Sequence, residues 1–442
     1  MSKHQTEIAL DIPEITRTWW PLAASWLLMA LELPALSAVM ARLANPKINL
    51  AAYGGIVFPI ALIIEAPVIM LLAASTALSK DWNSYRKIRK FMMISGGSLT
   101  AIHALVAFTP LYDLISKHII GAPPEIIPAA RTGLMIMLPW TWAIAYRRFN
   151  QGVLIRFDHA RTVSVGTLVR LSADGIVLLI GMIIKDIPGI LIATSAVSAG
   201  VICEAVYIGL RVHPVIEHQL KTAPAAEVEL TRQSFIKFYF PLALTSLMTL
   251  LSQPLISAAL SRMPRPIDSL AVWPVISGLL FIFRSPGVAY NEVVVALLGK
   301  THSYSPLKKF TAMITLSTTS VLFIIALTPL SELWFRHISS LDPDLTQLAE
   351  IALWFGMLVP GANALQSWYQ GVMLHSQKTR GVPEAVAIFL AASLITYGIG
   401  IYWNEPAGII VGTAGFSLGM TAQAGWLWFR SRPAIQAVKN HT

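Results

Sequence analysis

An internal duplication constrains this chain more than any other feature of its sequence. Residues 20–91 match residues 240–310 at a shift of 220, which becomes 219 after a gap of one residue. At that second shift Pro67 falls on Pro286, and the QGV at 151–153 falls on the QGV at 370–372. One unit of about 200 residues therefore accounts for nearly the whole chain. The two halves are expected to share one fold.

The composition excludes an ordinary soluble protein. Of the 442 residues, 55% are hydrophobic and 13% are charged, whereas about a quarter of the residues of soluble domains are charged. The single Cys203 excludes an intramolecular disulfide and a cysteine-based metal cluster. No cleavable signal peptide is recognisable in the polar residues 1–18. We therefore predict an integral membrane protein.

Hydropathy predicts twelve membrane-spanning helices, six in each repeat. The fold class expected is an all-α polytopic membrane protein with two parallel six-helix repeats. The predicted spans are 19–43, 50–78, 90–115, 126–147, 162–184, 188–211, 235–261, 269–298, 309–335, 345–374, 382–402 and 406–429.

The distribution of Lys and Arg predicts the orientation. With a cytoplasmic N-terminus, twenty-three basic residues fall on the inner side and eight on the outer side, which places both termini inside. The net charge of +10 reflects this bias rather than nucleic-acid binding. The expected divisions are a cytoplasmic segment at 1–18, an N-lobe at 19–212, a cytoplasmic connector at 213–234, a C-lobe at 235–430 and a cytoplasmic tail at 431–442. The outer basic residues are Arg42, Lys47, Lys117, Arg131, Lys185, Arg262, Arg265 and Arg336.

The eighth predicted span combines a charge with a helix breaker. Arg284 lies near mid-depth, Pro286 follows, and Asn291 and Glu292 come one turn later. A central Arg costs at least roughly 2.5–3.5 kcal/mol in a membrane, so such a residue normally faces a cavity or a partner. We interpret this stretch as part of a substrate site; a kinked packing helix with a neutralised Arg is the alternative.

Glu32 and Glu65 also lie near the middle of predicted spans. Glu65 coincides with Arg284 at a shift of 219, so the duplication would place an acid and a base at the same depth in opposite lobes. The expected substrate-binding or coupling residues are thus Glu32, Glu65, Arg284, Asn291 and Glu292, lining a central cleft. Neutralisation of each charge within its own lobe is the alternative.

Four further polar residues are secondary candidates for the site. Arg170 and Asp174 are four apart, so they share a helix face and can neutralise each other. Glu204 can reach the cytoplasmic interface, and His103 either relays protons or is simply hydrogen-bonded in its helix packing. Among the candidates for the cleft the acids Glu32, Glu65, Asp174 and Glu292 outnumber the bases Arg170 and Arg284.

Prolines within the spans predict bends used as hinges. A proline inside a helix removes a hydrogen bond and costs about 3 kcal/mol or more in soluble helices. The hinge candidates are Pro34, Pro67, Pro254 and Pro286. No signature of an enzyme, a metal site or a nucleotide-driven pump is present in the sequence. We therefore expect no cofactor, and coupling to H⁺ or Na⁺ is the open question.

The segments at 149–181 and 369–400 each contain Gln-Gly, a short basic loop and an apolar helix. This pattern resembles the multidrug/oligosaccharidyl-lipid/polysaccharide (MOP) exporter superfamily, which includes multidrug-and-toxin extrusion (MATE) proteins and lipid-linked-sugar flippases. The loop at 79–90 lacks the GxxxDRxGRR pattern of major facilitators. Within the superfamily, the stretches at 50–54, 91–108 and 238–244 look like the progressive ankylosis (ANK) protein family, with Arg42, Pro254, Pro286 and Glu292 as matching positions.

That resemblance implies a secondary exporter of a small anion, such as pyrophosphate or a citrate-like acid, working by alternating access in a bacterial-type inner membrane. We expect a monomer in the lipid bilayer with a small-molecule substrate and no nucleic-acid partner. The excess of acids fits a cation or multidrug antiporter instead, and a lipid-linked-sugar flippase would need a basic cavity. A membrane scaffold or a lipid-modifying enzyme is the alternative from another class.

Overall fold

The computed structural model describes residues 10–226, 228–377 and 380–441. Residues 1–9 of the predicted N-terminal segment, and Thr442 of the tail, lie outside this part. Twelve long helical segments make up the described part, and ten of them are long and apolar enough to cross a membrane. The prediction of an all-α polytopic membrane protein is confirmed. The segments are α1 Ile12–Met40, α2 Pro46–Leu78, α3 Trp82–Phe108, α4 with the helices Ile127–Ile136 and Leu138–Arg156, α5 Ala160–Ile184, α6 Gly189–Leu220, α7 Arg232–Leu260, α8 Pro266–Leu297, α9 Tyr304–Leu327, α10 Pro343–His375, α11 Gly381–Trp403 and α12 Gly408–His441.

The fourth span extends well beyond its predicted end. The sequence placed that end at residue 147, yet the helix continues to Arg156. Arg147 and Arg148 therefore lie in the middle of a helix rather than at its cytoplasmic end. Hydropathy averaged over a window predicts that a span ends where two charges are adjacent. It takes no account of partners in other helices, such as Glu204, which pairs with Arg147.

The helices are interrupted next to two of the four hinge candidates. In α1 a turn at Leu31 comes just before Pro34, and in α2 a turn at Met70 follows Pro67. In contrast, α7 is helical through Pro254 and α8 through Pro286. The two repeats thus share the proline positions but differ in whether the helix breaks there.

The chain separates into two compact units. We call Ala35–Pro274 the N unit, and Met1–Pro34 together with Val275–Thr442 the C unit. Most of α1 therefore belongs with α9–α12, and α7 belongs with α2–α6. The lobes expected at 19–212 and 235–430 assign α1 and α7 the other way round.

In the N unit, Tyr239 attaches α7 to α2 and α3. Its hydroxyl donates a hydrogen bond to the carbonyl of Pro67, and its ring meets Phe91 edge-on with 5.0 Å between centroids. Pro67 lies in the last turn of the helix Phe58–Ile69, where carbonyls have no partner within the helix. The tyrosine thus satisfies a backbone acceptor that lipid could not.

In the C unit, Trp19 makes the equivalent contacts from α1. Its indole N–H donates to the carbonyl of Pro286 at 2.9 Å, and its ring meets Phe310 edge-on at 5.4 Å. All three residues stand at the duplicated positions of Tyr239, Pro67 and Phe91. The duplication seen in the sequence is therefore repeated in the side-chain contacts within each unit.

Candidate functional site

The candidate site is a group of six buried or half-buried charged side chains in the N unit. Four of its helices contribute: Glu65 from α2, Arg147 and Arg148 from α4, Arg170 and Asp174 from α5, and Glu204 from α6. We call these six residues the ionic cluster. Three positive and three negative groups make it formally neutral, which reduces the cost of placing charges at membrane depth.

Arg147 and Glu204 form the most buried part of the cluster. Their side chains make a short ion pair, and Glu204 has no exposed surface. The amide nitrogen of Gln151 donates to the second carboxylate oxygen of Glu204 at 2.9 Å. Both oxygens of Glu204 are thus occupied, so this acid is fixed within the helix packing rather than available to a ligand.

Glu65 is an acid of the cluster whose carboxylate is not fully hydrogen-bonded. Its side chain is 4% exposed, and its Oε2 atom has no hydrogen-bond partner among the described residues. Arg148, Arg147 and Arg170 all interact with it electrostatically. A buried carboxylate held by nearby charges but not by hydrogen bonds can take up or release a proton without breaking a packing contact.

Arg148 is the base with a similar freedom. Its guanidinium interacts electrostatically with Glu65 and Glu204, yet no acid of the described residues lies within ion-pair distance, and its Nε has no hydrogen-bond partner. Unlike its neighbour Arg147, it is only half-buried. Arg148 therefore carries a positive charge in the middle of a helix while part of its surface remains exposed.

Arg170 and Asp174 are accommodated by a glycine of α6. A methyl group on Gly200 would overlap a carboxylate oxygen of Asp174 and come within 3.0 Å of the Arg170 side chain. Both charged residues are buried. The i, i+4 spacing expected from the sequence is thus used to place both side chains against the same neighbouring helix.

The C unit has neutral residues at most positions of the ionic cluster. At a shift of 219, Arg147 and Glu204 correspond to Gln366 and Gln423. These two glutamines also contact each other, with 3.3 Å from the amide nitrogen of Gln366 to the amide oxygen of Gln423. An ion pair in one unit is therefore replaced by an amide pair in the other.

The same replacement holds for α5 and its duplicate α11. Arg170 and Asp174 correspond to Phe389 and Ser393, and Gly200 corresponds to Gly419. A methyl group on Gly419 would overlap the Ser393 hydroxyl and come within 2.8 Å of the Phe389 ring. The backbone arrangement is repeated while the charges are lost.

Arg284 is the charged exception among these positions in the C unit. It occupies the position of Glu65, lies over the ring of Phe416 at 5.4 Å, and is only half-buried. Among the described residues no acid lies within ion-pair distance of its guanidinium, and its Nε has no hydrogen-bond partner. An aromatic face stabilises a cation, and it leaves the N–H groups free for an anion.

The other three primary candidates also belong to the C unit. Asn291 donates to the backbone carbonyl of Ser367 at 3.1 Å, which ties α8 to α10. Glu292 is exposed and close to the indole of Trp26. Glu32 is half-buried at the start of the second part of α1. The structure thus gathers Glu65 with the secondary candidates in one unit, and the remaining primary candidates in the other.

His103 is fully buried, and both of its ring nitrogens are bonded. Nε2 lies 2.9 Å from the carbonyl of Leu134, and Nδ1 lies 2.7 Å from the hydroxyl of Thr141. A carbonyl only accepts, so Nε2 carries the proton and Nδ1 accepts from Thr141. These bonds join α3 to α4, as expected of a histidine in helix packing.

Sequence reasoning missed Arg147, Arg148 and Gln151. The signal that could have found them is the QG motif that follows. It recurs in both repeats, which indicates that the helix continues through it, and the two arginines lie about one turn before it. It also missed Asn363, whose Oδ1 is buried without a hydrogen-bond partner and packs against the position of Gly287, directly after Pro286. A lone asparagine in an apolar span gives no comparable signal.

No protein-family model matches the chain. No curated protein is similar enough to match either.

Solved structures do match, and all those described here have the fold of MOP-superfamily transporters. An inward-facing MATE-family multidrug resistance transporter has a TM-score of 0.73 at 14% identity, covering 96% of this chain and 99% of its own. The lipid II flippase MurJ in an inward closed conformation has a TM-score of 0.71 at 16% identity, covering 95% and 90%. A MOP-superfamily transporter from Pyrococcus furiosus has a TM-score of 0.68 at 14% identity, covering 99% of both chains. The expected twelve-helix MATE-like fold is confirmed; a specific closeness to the ANK family is not shown.

Proposed function

We propose that this protein is a secondary transporter that moves a small organic or inorganic anion, such as pyrophosphate or a citrate-like acid, by alternating access. The observation that carries the proposal is Arg284: a half-buried cation inside a membrane helix with no acid at ion-pair distance among the described residues. A charge in that position is costly and marks a substrate or ion pathway. Arg148 of the N unit has the same properties.

The balance of charge in the N unit removes the excess of acids that spoke against an anion. The sequence alone counted more acids than bases among the interior residues. With Arg147 and Arg148 inside the helix, the ionic cluster has three acids and three bases. The similar transporter from Pyrococcus furiosus is described as having a binding pocket of reverse polarity, which suggests a different function for it. The sign of the interior charge is accordingly the property that we use to choose a substrate class.

Glu65 supplies the proposed coupling to protons. Protonation of Glu65 removes one of the two negative groups that interact with Arg148. The positive charge of Arg148 is then less compensated, and an anion binds it more tightly. Proton and anion therefore bind together in this scheme, whereas a cation would compete with the proton for Glu65.

Flux measurements in proteoliposomes test the proposal. We expect pyrophosphate or citrate flux to be lost in Arg284→Gln and Arg148→Gln, with expression unchanged, and to become independent of the pH gradient in Glu65→Gln. Arg86→Gln, an exposed arginine at the start of α3, is the matched control and should retain the flux. Wild-type flux in both Arg284→Gln and Arg148→Gln would show that neither arginine belongs to the substrate site. Transport restricted to cations or lipid-linked sugars identifies an antiporter or a flippase instead.

We propose further that both termini face the cytoplasm of a bacterial-type inner membrane, and that the protein acts as a monomer without catalytic activity. The number of basic residues supports the orientation, because Lys and Arg are more numerous on the proposed inner side than on the outer side, where only eight lie. Ion pairs are formed by Lys47, Lys117, Arg131, Arg265 and Arg336. Backbone carbonyls accept from Arg42 and Arg262. The rule depends on the number of Lys and Arg on each side and not on net charge, so these outer contacts leave the count of basic residues as the argument for the orientation.

A further inference from the structure

The N unit has two adjoining depressions on the surface formed by α3, α4 and α6. One is a groove of about 590 Å³ between α4 and α6, lined by apolar residues that include Pro139, Trp142 and Ile202. The other is a pocket of about 280 Å³ at the predicted cytoplasmic ends of the three helices. Volumes of this size are in the range of small-molecule sites, roughly 300–1,000 Å³. Tyr146 and Gly209 line both, so the two depressions adjoin at these residues.

The groove has the character of a surface that contacts lipid chains. Val206 and Leu210 line it and are 57% and 70% exposed. The two depressions together extend along α6 from Ile202 to Ile216, which at ~1.5 Å per residue is ~21 Å. Half of the ~30 Å hydrocarbon core is ~15 Å. One acyl chain of the cytoplasmic leaflet therefore has the length to fill the groove and still reach the pocket.

The pocket has a positive charge that is not used internally. Arg89 and His213 line it, and no hydrogen bond or ion pair joins either one to another described residue. The acid in the lining, Glu217, is already held by Lys221 at 2.7 and 2.8 Å, and it interacts only electrostatically with His213. With that pair neutral, Arg89 leaves a net positive charge beside the aromatic rings of Trp82 and Tyr85. Aromatic and basic side chains at this depth are typical of the lipid headgroup region.

Gly209 lies where the two depressions adjoin. A methyl group at this position would lie 2.6 Å from the hydroxyl of Tyr146 and 3.1 Å from its ring. The tyrosine can therefore lie against α6 where the two depressions adjoin. Any larger residue at position 209 would displace the ring from this position.

We propose that the two depressions together bind one anionic phospholipid of the cytoplasmic leaflet, with the phosphate at Arg89 and His213 and one acyl chain between α4 and α6. A free phosphate compound would use the pocket alone. The adjoining apolar groove is what specifies a lipid. This site is separate from the ionic cluster; it rests on the proposed orientation of the helices but not on the proposed transport of an anion.

Native mass spectrometry of the full-length protein in detergent tests the site, with phosphatidylglycerol, phosphatidylcholine and glycerol phosphate as probes. We expect the first phosphatidylglycerol to bind more tightly than phosphatidylcholine, and glycerol phosphate not to bind. Arg89→Gln should weaken phosphatidylglycerol binding about fivefold, the effect of losing one basic side chain near an anionic headgroup. Arg86→Gln is the control on the same helix and should bind as the wild type does.

A second variant tests the groove independently of the headgroup. Gly209→Ala displaces Tyr146, so it should weaken both phospholipids to the same extent while leaving the preference between them unchanged. Equal binding by Arg89→Gln and Arg86→Gln would overturn the headgroup assignment. Binding of glycerol phosphate as tightly as of the lipid, or unchanged lipid binding by Gly209→Ala, would overturn the assignment of the groove.

Discussion

The amide pair in the C unit shows which substitutions should replace the ion pair in the N unit without disturbing the helix packing. Arg147 and Glu204 are buried together, and their duplicated positions are Gln366 and Gln423, which contact each other at 3.3 Å. The double variant Arg147→Gln/Glu204→Gln should therefore pack like the C unit. Each single variant instead leaves one buried charge without its partner.

The expected magnitudes follow from the contacts of each residue. Removing one partner of a buried ion pair costs about 3–5 kcal/mol, whereas replacing both partners with neutral groups is often close to neutral. Arg147→Gln should lie at the lower end, because Gln151 still donates to Glu204 and Arg148 still interacts with it. Glu204→Gln should cost more, because among the described residues Arg147 then has no acid within ion-pair distance and its Nε already lacks a hydrogen-bond partner. The coupling in the cycle is expected to exceed about 3 kcal/mol.

The assay is unfolding of the purified protein in detergent, with the wild type, both single variants and the double variant measured under the same conditions. The exposed pair Lys87 and Glu229 provides a matched control, because its double-glutamine variant should change stability by less than about 1 kcal/mol. If the double variant at 147 and 204 is as unstable as the sum of the singles, an amide pair does not replace the ion pair. The structural equivalence of the two units would then not extend to their side chains.

Two other predictions concern packing and pH. Gly200→Ala should destabilise the protein by about 1–3 kcal/mol through overpacking against Asp174. Gly175→Ala is the control: no atom lies within 4 Å of the added methyl, so this variant should stabilise the protein by about 0.5–1 kcal/mol. Unfolding midpoints measure both effects, and equal effects would contradict the packing of α5 on α6. For Asp81, burial opposes ionisation, but hydrogen bonds from the Ala226 and Ser84 amides outweigh it and lower the pKa from 3.8. Its stabilisation is therefore complete above that value and is lost as the pH falls through the lowered pKa. Asp81→Asn should imitate that loss at neutral pH, seen as faster hydrogen exchange in the connector around Ala226; unchanged exchange would show that this contact does not hold the connector.

The fold could be predicted further than the site. Apolar runs and the repeat at a shift of 219 indicated twelve helices in two sets of six, because both signals can be read from the sequence without knowing which helices are in contact. The end of α4 was misplaced by nine residues, since the charges of Arg147 and Arg148 are compensated by residues of α2 and α6 that a hydropathy window does not include. The grouping of α1 with the C unit is likewise set by contacts such as that between Trp19 and Pro286 of α8, 267 residues apart.

The site followed the same limit. Glu65 and Arg284 were recognisable because a charge in the middle of an apolar span is conspicuous, and the duplication marked them as equivalent positions. Their surroundings were not predictable, since the charged residues that interact with Glu65 come from two other helices, α4 and α5. Arg170 and Asp174 were recognised as neighbours on one helix face, but Gly200, which makes room for them, is one of many small residues in α6.

The two buried acids nearest Arg148 should separate a folding role from a coupling role. Glu204 has both oxygens bonded, to Arg147 and Gln151, so a change in its charge breaks the contacts that hold α4 to α6. Glu65 has an oxygen without a partner among the described residues, so its charge can change while the helices stay in place. A coupling residue must alternate between two charge states in every transport cycle, and only Glu65 can do so without paying in stability each time. We therefore expect Glu204→Gln to lose stability, and Glu65→Gln to keep its stability but to change the coupling of transport to protons. The reverse result would assign the coupling to the Arg147–Glu204 pair.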